Sequence, residues 1–105
     1  MNRAYLLGTI GADVELRASL SGATLASVSL AVPNVRTVDG VSIDVPDWHR
    51  LTAHGDVALH LASVGRKGAR LGVEATIRPV KWQDARGNVH RDLQLHIERV
   101  ISVSQ

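Results

Sequence analysis

The sequence predicts an all-β domain, a five-stranded barrel with one short helix between predicted strands 3 and 4. Apolar residues make up 45% of the 105 residues, which is enough for the core of one domain spanning residues 1–105. Val, Leu, Ile and Ala supply most of that fraction, with two Trp, one Tyr and no Phe. These apolar residues alternate with polar ones over most of the chain, and one segment repeats them at helical spacing instead.

The first two predicted strands lie within the first third of the chain. Residues 3–10 form an apolar, β-prone run, and residues 14–17 continue in extended form. Residues 19–22 have the composition of a turn. Predicted strand 2 covers residues 25–35, and Pro33 lies near its end, where an edge strand tolerates a missing N–H.

Predicted strand 3 follows Pro46 and contains residues 47–55, Asp-Trp-His-Arg-Leu-Thr-Ala-His-Gly. An Asp39-Gly40 pair between β-branched residues predicts a hairpin before it. Alternation along this strand separates two faces. A core-facing group contains His49, Leu51 and Ala53, and an outer group contains Trp48, Arg50, Thr52 and His54. The outer group aligns an indole, a guanidinium and an imidazole, which suits a stacked nucleobase with its phosphate nearby.

The predicted helix covers residues 56–64, where Val57, Leu61 and Val64 recur at helical spacing. A basic turn at residues 65–68 ends it. Predicted strand 4 covers residues 70–81, a polar hairpin loop follows, and predicted strand 5 covers residues 90–103. The residues expected to face the core in these two strands are Leu71, Val73, Ala75, Ile77, Leu93, Leu95 and Ile97. The resulting order, β-β-β-α-β-β, is that of the OB fold, whose strand 2–3 face and loops 1–2 and 4–5 bind single strands. Trp48 and Trp82 both fall on that expected surface.

Composition argues against several other classes of protein. The absence of Cys excludes disulfides and thiolate metal sites, and the five His residues lack ligand spacing, so no metal site and no cofactor are expected. Asp39, Asp44 and Asp47 cluster without a nucleophile or base, so an enzyme is not expected. Apolar runs are too short for a membrane span, and the N-terminus lacks a signal-peptide pattern. We therefore expect a soluble cytoplasmic protein that is not bound to membranes.

The sequence resembles the bacterial and plasmid single-stranded-DNA-binding proteins over nearly its whole length. No single motif carries this resemblance; an ordered set does. The set consists of Met1-Asn2-Arg3, Gly11-Ala12-Asp13, Glu15-Leu16-Arg17, Ser21-Gly22, Ser29-Leu30-Ala31, Asp47-Trp48-His49-Arg50, Lys67-Gly68, Lys81-Trp82-Gln83-Asp84 and Gly87-Asn88.

The resemblance implies an OB-fold homo-oligomer, a homotetramer with a dimer as the alternative, that coats single-stranded DNA in replication, recombination or repair and is associated with the nucleoid. Trp48 and Trp82 match two stacking tryptophans of the family, and His54 stands where a stacking Phe is usual. His49 matches a histidine at a subunit contact, and Tyr5 and Leu7 complete the expected oligomer interface. The candidate phosphate contacts are Arg3, Arg50, Arg66, Lys67, Arg78, Lys81 and Arg86.

The sequence also departs from this family. Residues 35–38 carry no aromatic ring where many members have another Trp. The chain ends with its last predicted strand, so we expect no disordered C-terminal tail of the kind that recruits replication and repair proteins. These departures favour an alternative function, in which the chain is a primosome-type restart accessory or adaptor that mainly binds other replication or restart proteins.

Overall fold

The computed structural model describes residues 1–104, most of which belong to β-strands. Within residues 1–104, eight strands and one helix follow one another: β1 Ala4–Ile10, β2 Glu15–Ala18, β3 Thr24–Val32, β4 Val35–Val38, β5 Val41–Asp44, β6 Asp47–His54, α1 Gly55–Val64, β7 Arg70–Gln83 and β8 Val89–Ser104. No helix in this described part of the chain is long and apolar enough to cross a membrane.

Five strands close into a ring because β1 pairs with two neighbours. The sheet order is β1-β7-β8-β6-β3-β2, and a second pairing of β1 with β3 closes the ring and leaves β2 outside it, paired with β3 alone. That pairing places Thr9 opposite Ala31 and Ile10 opposite Leu30. The ring strands β1, β3, β6, β7 and β8 correspond to the five predicted strands, and α1 follows the third of them. The predicted all-β class, with a short helix in this position, is confirmed.

The core fills the inside of the ring with aliphatic side chains. Leu30 on β3 and Leu51 on β6 are fully buried, as alternation along these two strands predicts. Helix α1 packs against β2, β3, β6 and β8 and buries Ala58 and Leu61. The other fully buried side chains of this core include Ile10, Ala53, Leu71, Val73, Ala75 and Ile97.

The segment between β3 and β6 forms a separate hairpin. Strand β3, which corresponds to predicted strand 2, ends at Val32, three residues earlier than expected. It ends there because Pro33 lacks the N–H that would continue the hydrogen-bond ladder. Strands β4 and β5 then pair with each other around Asp39 and Gly40, which both adopt positive φ (51° and 77°). This geometry is the one that an Asp-Gly hairpin turn requires, so the predicted hairpin is confirmed.

The outer parts of β7 and β8 extend beyond the ring as a two-stranded ribbon, named the arm, formed by residues 77–94. The prediction that Ile77 and Leu93 face the core was wrong, since Leu93 is 68% exposed and Ile77 is also exposed. Strand β6 meets β8 at Leu51 and Leu95, so the arm residues lie beyond that contact and have no third strand to cover them. The predicted hairpin loop begins at residue 82, but in the structure Trp82 lies within β7.

Candidate nucleic-acid interface

The outward side chains of β6 form a row beside mostly small side chains of β3. Trp48, Arg50, Thr52 and His54 alternate outward from the buried Leu51 and Ala53. Their register partners on β3 are Ala31, Ser29, Ser27 and Leu25, three of which are small. The large side chains of β6 therefore stand beside a shallow strip along β3, as the alternation of β6 predicts.

Trp48 is 61% exposed and is supported by the turn that follows β1. The edge of its indole contacts Gly11, whose N–H donates to the carbonyl oxygen of Ser29 at 3.0 Å. The turn therefore supports one edge of the ring, while most of the surface of the side chain remains open. An exposed, supported indole has the geometry of a stacking platform.

Two grooves meet at Arg50 and Thr52. The first, of about 240 Å³, also contains Glu15, Arg17 and His54, and it lies between β2 and β6. The second, of about 250 Å³, extends from the same two residues to Trp82 on the arm. Because the grooves share Arg50 and Thr52, the outer face of β6 and the arm form one continuous surface.

Trp82 is 48% exposed and has a different support from Trp48. Its ring stacks on His90, with ring centroids 5.3 Å apart and an interplanar angle of 20°. His90 is bonded through Nε2 to Oδ2 of Asp84 at 2.8 Å. This bond makes the largest contribution to holding the pKa of the Asp84 carboxyl below its usual value. Hydrogen bonds from the backbone N–H groups of Asn88 and Arg86 lower the pKa further. Lys81 lines a further groove beside Trp82.

Glu15 neutralises part of the positive charge in the first groove. Its Oε2 lies 3.4 Å from Nη2 of Arg17 and 3.8 Å from Nη2 of Arg50. Both arginines are mostly exposed, so these pairs exchange readily with other anions. The arrangement gives a site where a phosphate would compete with one carboxylate.

His54 lies at the predicted position on the outer face and contacts His96 of β8. The two Nδ1 atoms are 3.2 Å apart, and the ring centroids are 4.6 Å apart. Burial, and then the charges of Arg78 and His54, lower the pKa of His96, while Glu98 acts in the opposite direction. The surroundings of His96 therefore favour its neutral form, next to the exposed imidazole of His54.

The remaining residues predicted to contact phosphates lie at four separate places on the molecule. The loop holding Arg66 and Lys67 lies beside the turn after β1, since the backbone N–H of Lys67 donates to Asp13 at 2.9 Å. Arg86 lies at the tip of the arm, and Arg78 pairs with Glu98 at 3.4 Å. Arg3 pairs with Glu74 at 3.1 Å, so the structure does not bring it to the grooves that join Trp48, Arg50 and Trp82.

The residues predicted at the oligomer interface divide into two positions. Tyr5 and Leu7 point outward from β1 and are 65% and 51% exposed. They lie opposite Glu74 and Gly72 of β7, away from the grooves. His49 is half-buried on the core-facing side of β6, opposite Leu30. No group of three metal-ligating side chains occurs within residues 1–104.

Sequence reasoning missed four residues of this surface. Arg17 and Gln94 line the first groove, and Glu15 and His90 contact predicted residues. Alternation within residues 14–17 places Glu15 and Arg17 on one face, and that signal would have found them. Gln94 and His90 depend on the pairing of β7 with β8, which no local pattern reports.

A family model and individual relatives of this chain point to the same protein family. The model of the family described as "Single-strand binding protein family" matches residues 1–103. The "Single-stranded DNA-binding protein" of Thermosynechococcus vestitus (strain NIES-2133 / IAM M-273 / BP-1) is 35% identical over 91 residues, covering 87% of this chain and 72% of that protein. "Single-stranded DNA-binding protein 1" of Xylella fastidiosa (strain 9a5c) is 30% identical over 90 residues, covering 84% of this chain and 66% of that protein.

Two solved structures share the fold. A deletion variant of the single-stranded DNA binding protein from Thermus aquaticus gives a TM-score of 0.82 at 23% identity, over 97% of this chain and 51% of that one. A Plasmodium falciparum SSB in complex with ssDNA gives 0.77 at 22% identity, over 91% of this chain and 85% of that one. The chain thus spans about half of the Thermus protein. With the family match over residues 1–103, these findings show that the chain belongs to the single-strand binding protein family.

Proposed function

We propose that this chain binds single-stranded DNA without strong sequence preference and without catalysis. Bases stack on Trp48 and Trp82, while Arg50 and Lys81 contact phosphates between and beside them. Every base has a flat face that an indole can stack on, so two rings and a row of cations give binding without a sequence code. His54, Arg66, Lys67, Arg78 and Arg86 extend the proposed surface, and Arg3 contributes least because it does not line the grooves that join Trp48, Arg50 and Trp82.

The observation that carries this proposal is the continuity between the two tryptophans. Trp48 and Arg50 alternate outward on β6, and one groove joins Arg50 to Trp82. A strand laid along this surface would meet an indole, a guanidinium and a second indole in succession. The names of the relatives, which are single-stranded DNA-binding proteins, support the same ligand.

We further propose that the protein acts as a homotetramer, with a dimer as the alternative, in replication, recombination or repair. The exposed Tyr5 and Leu7 on β1 support a subunit contact, because large apolar side chains in the open favour burial against a partner. His49 is the third proposed interface residue. Light scattering of the purified protein measures the mass of the assembly directly.

A fluorescence titration with oligo-dT tests the proposed function. We expect quenching of Trp emission on binding and its reversal by salt, with each phosphate contact adding ~0.7 to the slope of log K against log salt. Trp48→Ala and Trp82→Ala should each weaken binding by ~1–3 kcal/mol, or about 5- to 150-fold. Unchanged emission and no mobility shift at saturating oligo-dT in low salt would contradict the proposal.

A second candidate function is an adaptor that binds replication or restart proteins, with DNA contact secondary. The β4–β5 hairpin favours it, because this hairpin exposes Val35, Val38 and Val41 and its residues 35–44 include no aromatic ring. A pull-down with and without nuclease separates the two functions. Capture of a helicase that survives nuclease, together with weak oligo-dT binding, would place the adaptor role first.

A further inference from the structure

The tip of the arm holds Trp82 in a fixed stack with a histidine. Trp82 of β7 and His90 of β8 are direct register partners, so their side chains project from the same face of the ribbon. Their ring centroids lie 5.3 Å apart at an interplanar angle of 20°, the geometry of an offset stack. One face of the indole is thus covered by imidazole, and 48% of the residue stays exposed.

Asp84 fixes the orientation of that histidine. Its Oδ2 bonds to Nε2 of His90 at 2.8 Å, while its Oδ1 accepts the backbone N–H groups of Arg86 and Asn88 at 2.9 Å each. Gln83 closes the same turn by donating its side-chain amide to the carbonyl of Gly87 at 2.9 Å. The carboxylate is therefore anchored by the turn, and the histidine is anchored by the carboxylate.

We propose that His90 is a positioning residue for single-stranded DNA, which holds the indole of Trp82 ready for a base. The proposal rests on the proposed function, since it assigns a role to the support of one stacking ring. An indole on a two-stranded ribbon loses rotational freedom when a base stacks on it, and that loss weakens binding. The stack with His90 removes this freedom before DNA arrives. A base then stacks on the face that His90 leaves open.

Two substitutions at one position isolate the stacking contact. His90→Leu and His90→Phe both remove the bond to Asp84, but only Phe keeps a flat ring against Trp82. We expect His90→Leu to weaken oligo-dT binding by roughly twofold to tenfold, and His90→Phe to restore most of that loss. Anisotropy of a labelled oligo-dT gives both affinities. Equal affinities for the Leu and Phe variants would overturn the proposal.

A second measurement reports the stack without DNA. In a Trp48→Phe background, Trp82 is the sole indole of the chain, so acrylamide quenching measures access to this ring. We expect His90→Leu to raise the quenching constant and His90→Phe to leave it near that of the His90 protein. If His90→Leu leaves quenching unchanged, the imidazole does not cover the ring and the proposal fails.

Trp82→Ala separates failure of this inference from failure of the proposed function. If Trp82→Ala weakens oligo-dT binding while His90→Leu does not, the stacking role of Trp82 stands and the positioning role of His90 is rejected. If Trp82→Ala has no effect on binding, the proposed role of Trp82 fails, and the positioning role of His90 fails with it.

Discussion

The indole of Trp48 lies so close to Gly11 that a β-carbon at residue 11 would stand 2.4 Å from Cζ3 and 2.6 Å from Cη2. Gly11 does not adopt positive φ, so the backbone does not require glycine at this position. The absent side chain is what lets the ring approach the turn after β1. One end of the proposed DNA surface therefore depends on a residue that has no side chain to contact DNA.

We predict that Gly11→Ala weakens oligo-dT binding by displacing Trp48. The added methyl group meets the outer edge of the Trp48 indole, so this side chain moves. The closed sheet keeps its structure because no backbone atom has to shift. The loss should be smaller than that of Trp48→Ala, about threefold to tenfold on the scale of one base–aromatic stack. In a Trp82→Phe background, the emission of Trp48 should shift with the substitution. Ala12→Ser, in the same turn, serves as the control, and an affinity for Gly11→Ala equal to that of this control would contradict the prediction.

We predict that Glu15→Gln strengthens binding of single-stranded DNA. Its carboxylate lies within 4 Å of both Arg17 and Arg50, so a phosphate must displace it from these two cations. Removing the charge should raise affinity about twofold to tenfold at low salt, with a smaller gain at high salt because exposed charges are screened. Asp44→Asn on the β4–β5 hairpin makes the same change in net charge outside the grooves. An equal gain from both variants would show that total charge, not release of Arg17 and Arg50, is responsible.

Alternation of polar and apolar residues predicted the parts of the fold that depend on one strand alone. The inward Leu51 and the outward Trp48 follow directly from the period of two along β6, and the same holds for Leu30 on β3. Leu93 also alternates, yet it is exposed. The period says which face a side chain takes, and only the pairing of β6 with β8 at Leu95 decides how far that face is covered.

The polar contacts of the candidate site were beyond prediction for a related reason. His54 and His96 are 42 residues apart, and Glu15 reaches Arg50 from a different strand. Each contact follows from strand order and register around the ring, which no local pattern encodes. The sequence therefore predicted the two tryptophans and most of the cations of the surface, but not Arg17 or the carboxylates and imidazoles that contact these residues.

We predict that Gly8→Ala destabilises the fold at the point where the ring closes. A β-carbon at residue 8 would stand 2.4 Å from the carbonyl oxygen of Ala31, which is backbone and cannot rotate away. Strands β1 and β3 must then separate, at a cost of about 1–3 kcal/mol. Urea unfolding measures this loss. Gly72→Ala is the matched control, because its β-carbon meets the hydroxyl of Ser102, which can rotate. Equal losses for the two variants would contradict the predicted strain at ring closure.

We predict that acid weakens the folded state through His96. Burial lowers the pKa of this imidazole in the folded protein from its ordinary value of 6.5, with Arg78 and His54 adding to the effect and Glu98 opposing it. The unfolded chain therefore binds the proton first as pH falls. The contribution to stability is full above pH 6.5 and is lost between that value and the lower folded pKa, with a slope of at most ~1.4 kcal/mol per pH unit.

Comparing the free energy of unfolding at about pH 7.5 and pH 5.5 checks this prediction. His96→Gln removes the titrating group and should flatten the change between the two pH values. His60→Gln, on the exposed face of α1, should leave the change as it is. If the His96→Gln protein loses as much stability in acid as the original chain, other groups carry the proton linkage. The buried imidazole would then be ionising in the folded protein as readily as in the unfolded one.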